Sequence, residues 1–381
     1  MYNFDIIHPR RGTGSLKWDR RADLDPYWVA DMDFTSPPAV IEAIQDRVNQ
    51  GIFGYAVPHK GLEETLEGYF SVRHGIDISI DQIVHLGGLV PALSLAGRAF
   101  GGDSGAVVTC SPVYPPFLGV HKDSSLALID VPHVQENGAW TFDWEGLESS
   151  VTPESKIFLL CHPQNPLGRV YTKEEILKVG EFCARHDLVL ISDEIHCDLV
   201  LNESTTPFYS ALHLPKELLA RTIVLQSPSK TYNIAGLGYA IAVIPDDSLR
   251  RKYVHAKGHI LPEINLLAYY AAEAAYRDGE PWRQELLAYL RDNRDLLVDF
   301  CACNLPGVVV PNIEATYLAW LDFRNTGIKD PAKLAEEKAG LFLSEGTFFG
   351  APGHTRINYA CPRASLESAL SRLANACAGL L

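Results

Sequence analysis

A lysine, an aspartate and an asparagine, each placed just behind an apolar run, carry the chemical signal of this sequence. Lys230 stands in Ser227-Pro228-Ser229-Lys230-Thr231-Tyr232-Asn233-Ile234-Ala235-Gly236, directly after the β-type run Thr222–Leu225. The C-terminal end of a strand is where open α/β sheets place ligands. A lysine there forms a Schiff base if its amine is desolvated and its pKa lowered; otherwise it is a solvated loop lysine. Asp193 closes the apolar run of Ile191-Ser192-Asp193-Glu194-Ile195-His196. Such an acid can keep a proton on a heteroaromatic nitrogen, bind a metal or cap a helix. Asn165 lies in Cys161-His162-Pro163-Gln164-Asn165-Pro166-Leu167-Gly168-Arg169. That stiff turn can aim an amide at a phenolate oxygen, or be an ordinary Asn-Pro turn. Asn165 precedes Asp193 by 28 residues and Asp193 precedes Lys230 by 37.

The elements between them alternate. Gly105–Cys110, Leu126–Val131, Lys156–Cys161, Leu188–Ser192, Thr222–Leu225 and Tyr239–Ile244 each suit a strand that is apolar on both faces. Such strands belong in a largely parallel sheet covered by helices. The spacing of apolar residues predicts helices over Ala39–Asn49, Gly61–Arg73, Lys173–Arg185, Glu263–Arg277, Trp282–Cys301, Pro331–Ala339 and Leu366–Ala378. A further strand is expected at Tyr317–Asp322. The fold class is therefore α/β. We expect an N-terminal arm that forms part of a small domain (1–45), a large domain (46–275) and a C-terminal small α/β domain (276–381).

Composition narrows the classes. The chain has 381 residues, 47% hydrophobic and 21% charged, as in globular proteins of about two domains. Thirty-three Lys and Arg against 47 Asp and Glu give −14, so nucleic acid and anionic membrane are not expected partners. A local basic pocket stays open; Arg10, Arg11, Lys17, Arg20 and Arg21 lie close together in the arm. Met1-Tyr2-Asn3-Phe4-Asp5 lacks the basic start and apolar stretch of a secretory signal. The uncharged runs Gln82–Gly97 and Ser104–Val120 are too interrupted to span a bilayer. Eight scattered cysteines without a Cys-x-x-Cys pair suggest reduced thiols in a cytoplasmic protein, with no metal site.

Taken in order, Asn-Pro-x-Gly, Asp-Glu and Ser-x-Ser-Lys at these separations resemble the pyridoxal-phosphate-dependent aminotransferases of classes I and II, fold type I. Trp28-Val29-Ala30-Asp31-Met32-Asp33-Phe34 and Arg11-Gly12-Thr13-Gly14-Ser15-Leu16-Lys17-Trp18-Asp19 look like one branch, the cystathionine β-lyase-like C–S lyases of the MalY/PatB group. Ser111-Pro112-Val113-Tyr114-Pro115-Pro116-Phe117 and Ser192-Asp193-Glu194-Ile195-His196-Cys197-Asp198-Leu199 do so too. Gly279-Glu280-Pro281-Trp282 and Arg356-Ile357-Asn358-Tyr359-Ala360-Cys361-Pro362-Arg363 complete the set.

The resemblance implies a mostly parallel seven-stranded sheet in the large domain and pyridoxal 5'-phosphate as cofactor. By the same resemblance, Lys230 holds the cofactor aldehyde and shuttles the substrate Cα proton, and Asp193 keeps the pyridine nitrogen protonated. Asn165 donates to the phenolate oxygen and Tyr114 stacks on the ring. Gly88, Leu89 and Val90 cradle the phosphate with Ser227, joined by Tyr55 of a neighbouring subunit in a homodimer. Arg356 takes the substrate α-carboxylate, and His196 stands where many aminotransferases have a tyrosine near the phenolate oxygen. Two departures appear. Gly238 replaces the arginine that many class I aminotransferases place there, and the phosphate turn reads His85-Leu86-Gly87-Gly88-Leu89. The implied activity is β-elimination of L-cysteine S-conjugates to pyruvate, ammonia and a thiol. A transaminase, a decarboxylating deaminase, and a regulatory protein that keeps the fold without turnover are the rivals.

Overall fold

The structure, a computed structural model, describes residues 2–136, 138–259 and 261–380. The outer limits of the expected domains, 1 and 381, lie outside the described residues.

Seven strands build the central sheet: β1 (Ile83–Leu86), β2 (Ala106–Thr109), β3 (Ala127–Asp130), β4 (Ser155–Cys161), β5 (Val189–Asp193), β6 (Thr222–Gln226) and β7 (Ala240–Val243). Their order is β1-β7-β6-β5-β4-β2-β3. Side chains alternate between two cores, as period-two backbone demands. Phe158 and Leu160 of β4 enter one hydrophobic cluster, and Ile157, Leu159 and Cys161 enter the other. On β6, Val224 parts from Ile223 and Leu225 in the same way. A one-residue slip would send each of these side chains into the wrong cluster, so the register is strongly specified.

The two cores are closed by helices. Helix α1 (Leu89–Phe100) and α2 (Pro115–Ser124) cover one face with Leu89, Leu93, Ala96, Phe117 and Val120. Helix α3 (Lys173–Arg185) covers the other with Ile176, Val179 and Phe182. It starts where the sequence predicts, because Thr172 and Glu175 form a reciprocal capping box.

The sheet is parallel except at β7, which runs antiparallel to both β1 and β6. A parallel return needs a crossover of a dozen or more residues, usually a helix. Between Gln226 and Ala240 the chain has only the lysine loop and a short 3₁₀ turn at Ala235–Leu237. The mostly parallel seven-stranded sheet expected from the sequence is thus the one formed, with β7 antiparallel where no helix crosses back between β6 and β7.

A second sheet, β8 (Leu318–Asp322), β9 (Ser344–Glu345) and β10 (His354–Asn358), has the order β8-β10-β9 and is antiparallel. Helices α4 (Glu280–Asn304) and α5 (Arg363–Cys377) pack with it. Phe4, Tyr27, Met32 and Phe34 of the N-terminal arm share that core with Leu286, Leu290, Leu318, Ile357 and Leu370. Asp25–Pro26 pairs with Leu341–Phe342. Asn358 Nδ2 donates to the carbonyls of Val29 (2.8 Å) and Asp31 (2.7 Å), fixing the arm across the junction of the two sheets. No helix among the described residues is long and apolar enough to cross a membrane.

Candidate active site

Three parallel strands end side by side, and each delivers one residue. Asp193 is the last residue of β5, Asn165 follows β4, and Lys230 follows β6. Their ends open on a cavity of about 240 Å³, lined by Lys230, Asp193, Asn165, Tyr114, His196 and Ser227, with Gly88, Leu89 and Val90 at one end. Every residue assigned above to the site lines this cavity except two. Arg356 lines an adjoining cavity of about 690 Å³, which shares Ala30, Tyr114 and Lys230 with the first. Tyr55 is fully exposed, in the extended stretch with exposed Ile52, Phe53 and Val57, and does not reach the cavity within one chain.

The strand's alternation separates the acidic pair. Asp193 faces the cavity, whereas Glu194 is buried and takes hydrogen bonds from Ser192 Oγ (3.0 Å), Ser210 Oγ (2.6 Å) and the Ala211 amide (2.8 Å). Burial pushes Asp193 up to about 7, against the Ile195 amide bond and the charge of Lys230. Lys230 is lowered to about 8 by burial; Asp31 pulls it back up, Arg356 pushes it down and Asp193 pulls it up. Its Nζ donates to the Ala30 carbonyl at 2.7 Å, and Tyr317 Oη donates to the same oxygen at 3.0 Å. The amine is thus anchored by a neutral acceptor, and it titrates near neutrality.

Arg356 is 4% exposed and has no acidic partner among the described residues. Its Nη1 donates to Asn165 Oδ1 (2.8 Å) and its Nη2 to the Trp28 carbonyl (2.6 Å) and Ser344 Oγ (3.3 Å). The guanidinium lies 4.8 Å from the Phe349 ring centroid, and its buried Nε has no partner. Burial lowers it to about 10, still charged at neutral pH. A buried cation without a counter-charge is costly, so it calls for a carboxylate from outside. The same contact settles the Asn165 amide: a guanidinium only donates, so Oδ1 faces it and Nδ2 is left as a donor.

The inner cavity is lined at Gly88–Val90 by the start of a helix that could hold an anion. Gly88 precedes α1, whose first amides have no intrahelical acceptor. Ser227 Oγ donates to the Tyr239 carbonyl (2.6 Å) and accepts from the Ser229 amide (3.1 Å). Gly238 has φ 65°, and a Cβ there would lie 3.1 Å from the Gly87 carbonyl oxygen. The left-handed backbone at 238 favours glycine, and a side chain there would also press on the Gly87 carbonyl. His196 is held down to about 3 by burial, with Lys230 and Arg356 adding to it. It is neutral; its Nδ1 has no partner, and its ring meets Tyr317 edge-on at 6.2 Å.

Sequence reasoning missed the residues that act through backbone or from the second sheet. Ala30 offers a carbonyl, which no residue type signals, although its Trp28–Phe34 block was singled out. Tyr317 and Ser344 sit in and beside short strands of ordinary composition, and no sequence signal marks them. Asn233, at φ 56°, binds the amide of Met32 and the carbonyls of Met32 and Phe34, and so ties the lysine loop to the arm.

Comparison with known proteins agrees with this arrangement. The sequence model of the family described as aminotransferase class I and II matches residues 29–373. The chain is 37% identical to cystathionine β-lyase PatB of Bacillus subtilis, over 97% of this chain and 98% of that protein. A crystal structure of OvoB superposes with a TM-score of 0.95 at 39% identity, covering 99% of this chain and 100% of that one. The structure of cystalysin from Treponema denticola, which contains pyridoxal 5'-phosphate, gives 0.94 at 32%, covering 99% and 98%. With the family match spanning most of its length and both strand ends and lysine loop in place, the chain belongs to the class I and II aminotransferase family, in its cystathionine β-lyase-like branch.

Proposed function

We propose that this chain is a pyridoxal-phosphate-dependent carbon–sulfur lyase that eliminates a thiol from L-cysteine S-conjugates, leaving pyruvate and ammonia. The observation that carries the reading is the meeting of two cavities at Lys230. A depressed amine and a carboxylate-free guanidinium face the same space, in a chain 37% identical to a cystathionine β-lyase.

The inner cavity fits the cofactor. The open end of α1 at Gly88, Leu89 and Val90 suits a phosphate, which the Ser227 hydroxyl would join by turning its proton away from the Tyr239 carbonyl, and Tyr114 supplies an aromatic face for a pyridine. When bound, pyridoxal phosphate supplies an electron sink for a carbanion at the substrate's Cα. Asp193, pushed up to about 7 by burial, is a carboxylate that gains most when a cationic N–H sits beside it, so it keeps the proton on the ring nitrogen. Asn165 Nδ2 would donate to the phenolate oxygen, its other end being held by Arg356. His196, neutral and with a bare Nδ1, completes the polar edge of the ring site.

Lys230 would hold the cofactor's aldehyde, and its amine would then be placed to take the Cα proton. A base near 8 is close to the optimum for transfer at neutral pH. Arg356 holds the α-carboxylate with its free N–H groups, which orients the Cα–H bond toward Lys230. The departing thiolate leaves through the larger cavity, walled by Trp28, Phe342, Phe348 and Phe349.

Tyr55, exposed among other exposed apolar residues, is supplied by a second copy to the phosphate of this one, which makes the working unit a homodimer. Seven of the eight cysteines are buried free thiols, in keeping with a cytoplasmic protein.

The test is release of pyruvate and thiol from S-substituted cysteines with no 2-oxo acid present. Elimination gives many equivalents of both per site. One equivalent followed by arrest, with rescue by 2-oxoglutarate, overturns this reading in favour of transamination; carbon dioxide and an aldehyde overturn it in favour of decarboxylating deamination.

A further inference from the structure

Glu194, the acid beside Asp193, is fully buried and takes no part in the chemistry described so far. Its hydrogen-bond partners among the described residues include no cation. Ser192 Oγ (3.0 Å) and the Ala211 amide (2.8 Å) donate to Oε1, and Ser210 Oγ (2.6 Å) and Gln226 Nε2 (3.4 Å) donate to Oε2. Ser192, Ser210 and Gln226 are buried as well. A buried carboxyl group held only by neutral donors ties down every segment that supplies one, because losing a donor leaves an unsatisfied polar atom.

Those donors come from three segments that meet behind the inner cavity. Ser192 immediately precedes Asp193 at the end of β5. Gln226 is the last residue of β6 and immediately precedes Ser227 and the lysine loop. Ser210 and Ala211 open a 3₁₀ turn, Ala211–His213. The Glu194 amide also donates to the Leu225 carbonyl of β6 (2.8 Å), and the His162 amide, just past β4, donates to the Asp193 carbonyl (2.9 Å). On Asp193 itself, Oδ1 accepts from the Ile195 amide (3.1 Å), which leaves Oδ2 for the ring nitrogen.

We infer that Glu194 is a positioning residue whose carboxyl group clamps the ends of β5 and β6 to the Ser210–Ala211 turn and so holds Asp193 in line with the cofactor's ring nitrogen. The inference rests on Asp193 serving that nitrogen. The clamp needs an acceptor oxygen toward the Ala211 amide and tolerates a donor at its other end. Gln226 Oε1 is buried without a partner, so Gln226 can accept there by turning its amide, and Ser210 Oγ has a lone pair to offer. A glutamine at 194 therefore keeps the clamp. An alanine dissolves it and leaves a cavity between the strand ends.

The experiment loads wild type, Glu194→Ala, Glu194→Gln and Ser210→Ala with pyridoxal 5'-phosphate carrying nitrogen-15 in its ring. The ring-nitrogen chemical shift is followed against pH, beside kcat and KM for thiol release. Wild type should keep the ring nitrogen protonated at neutral pH. Glu194→Ala should lose that proton at lower pH than wild type, with kcat down about 10- to 100-fold and KM little changed, the scale of about a 1 Å misplacement. Glu194→Gln should recover most of both losses. Ser210→Ala, which removes one donor, should fall between, and it decides the case if Glu194→Ala does not fold. Variants whose ring nitrogen titrates as in wild type, with kcat within twofold, overturn the inference and leave the role of Asp193 standing. A glutamine no better than alanine also overturns it. A ring nitrogen unprotonated in wild type overturns the role of Asp193 and this inference together.

Discussion

Replacing Arg356 by lysine keeps the charge and removes the fork, and the structure sets the size of the effect. The guanidinium is positioned from three directions, by Asn165 Oδ1 at 2.8 Å, the Trp28 carbonyl at 2.6 Å and Ser344 Oγ at 3.3 Å. Its remaining N–H groups, including the unpartnered Nε, are what a substrate carboxylate meets. A lysine ammonium ends on a single atom and cannot serve Asn165, Trp28 and two carboxylate oxygens together. At least one charge-assisted hydrogen bond is lost, worth about 1.5–3 kcal/mol, which is roughly a 10- to 100-fold fall in kcat/KM. Because the same contact orients the Asn165 amide, the bound cofactor's absorption maximum should shift as well. Thiol release with S-substituted cysteines gives the kinetic constants, and a spectrum of the resting enzyme gives the second readout. A variant with kcat/KM within twofold of wild type and an unshifted spectrum would refute the assignment of Arg356 to the carboxylate and to Asn165.

Asp193→Asn should keep the cofactor, held at its phosphate end, and lose about three to four orders of magnitude in turnover, by analogy with loss of other protonation-setting carboxylates; near-normal turnover would mean another role for the acid. Gly238→Arg should destabilise the protein by about 1–2 kcal/mol, because residue 238 is left-handed at φ 65° and faces the Gly87 carbonyl; a thermal melt checks it. Reconstitution of cofactor-free protein should accelerate as pH rises through about 8 and then level, since Lys230 reacts as the neutral amine. Asp31→Asn removes a charge that pulls this amine up, so the midpoint should move to lower pH; an upward move would reverse the sign of that interaction. Through this amine alone, the contribution to folding stability is fullest above its ordinary 10.5 and is lost as pH falls to its folded value of about 8.

Much of this architecture is legible in local patterns. Strand runs such as Lys156–Cys161 and Thr222–Leu225 are apolar on both faces because each feeds two cores, and α3 follows from the spacing of its apolar residues. The positions of Asn165, Asp193 and Lys230 follow, since each ends or succeeds a parallel strand. The strand β1 was not separated in the sequence from the apolar helix after it. The hairpin Val134–Glu136 with Ala139–Thr141 is missed because its strands are three residues long and only Trp140 is buried, too short a run for alternation to show. Helix ends also differ: the predicted Gly61–Arg73 ends as a helix at Tyr69 and continues as a π turn to His74, closed by Gly75 at φ 65°. Contacts between distant segments carry no local pattern at all. The Ala30 carbonyl shared by Lys230 and Tyr317 joins residues 200 and 287 positions apart, and only the folded chain reveals it.

The claim at the centre is that Lys230 is the residue on which the cofactor is held. The measurement is borohydride reduction of the holoenzyme followed by proteolysis and mass mapping of the pyridoxyl-labelled peptide. One label per chain, on Lys230 of Ser227-Pro228-Ser229-Lys230, is the predicted result. A label on another lysine, or none on a protein that still releases thiol and pyruvate, would contradict it.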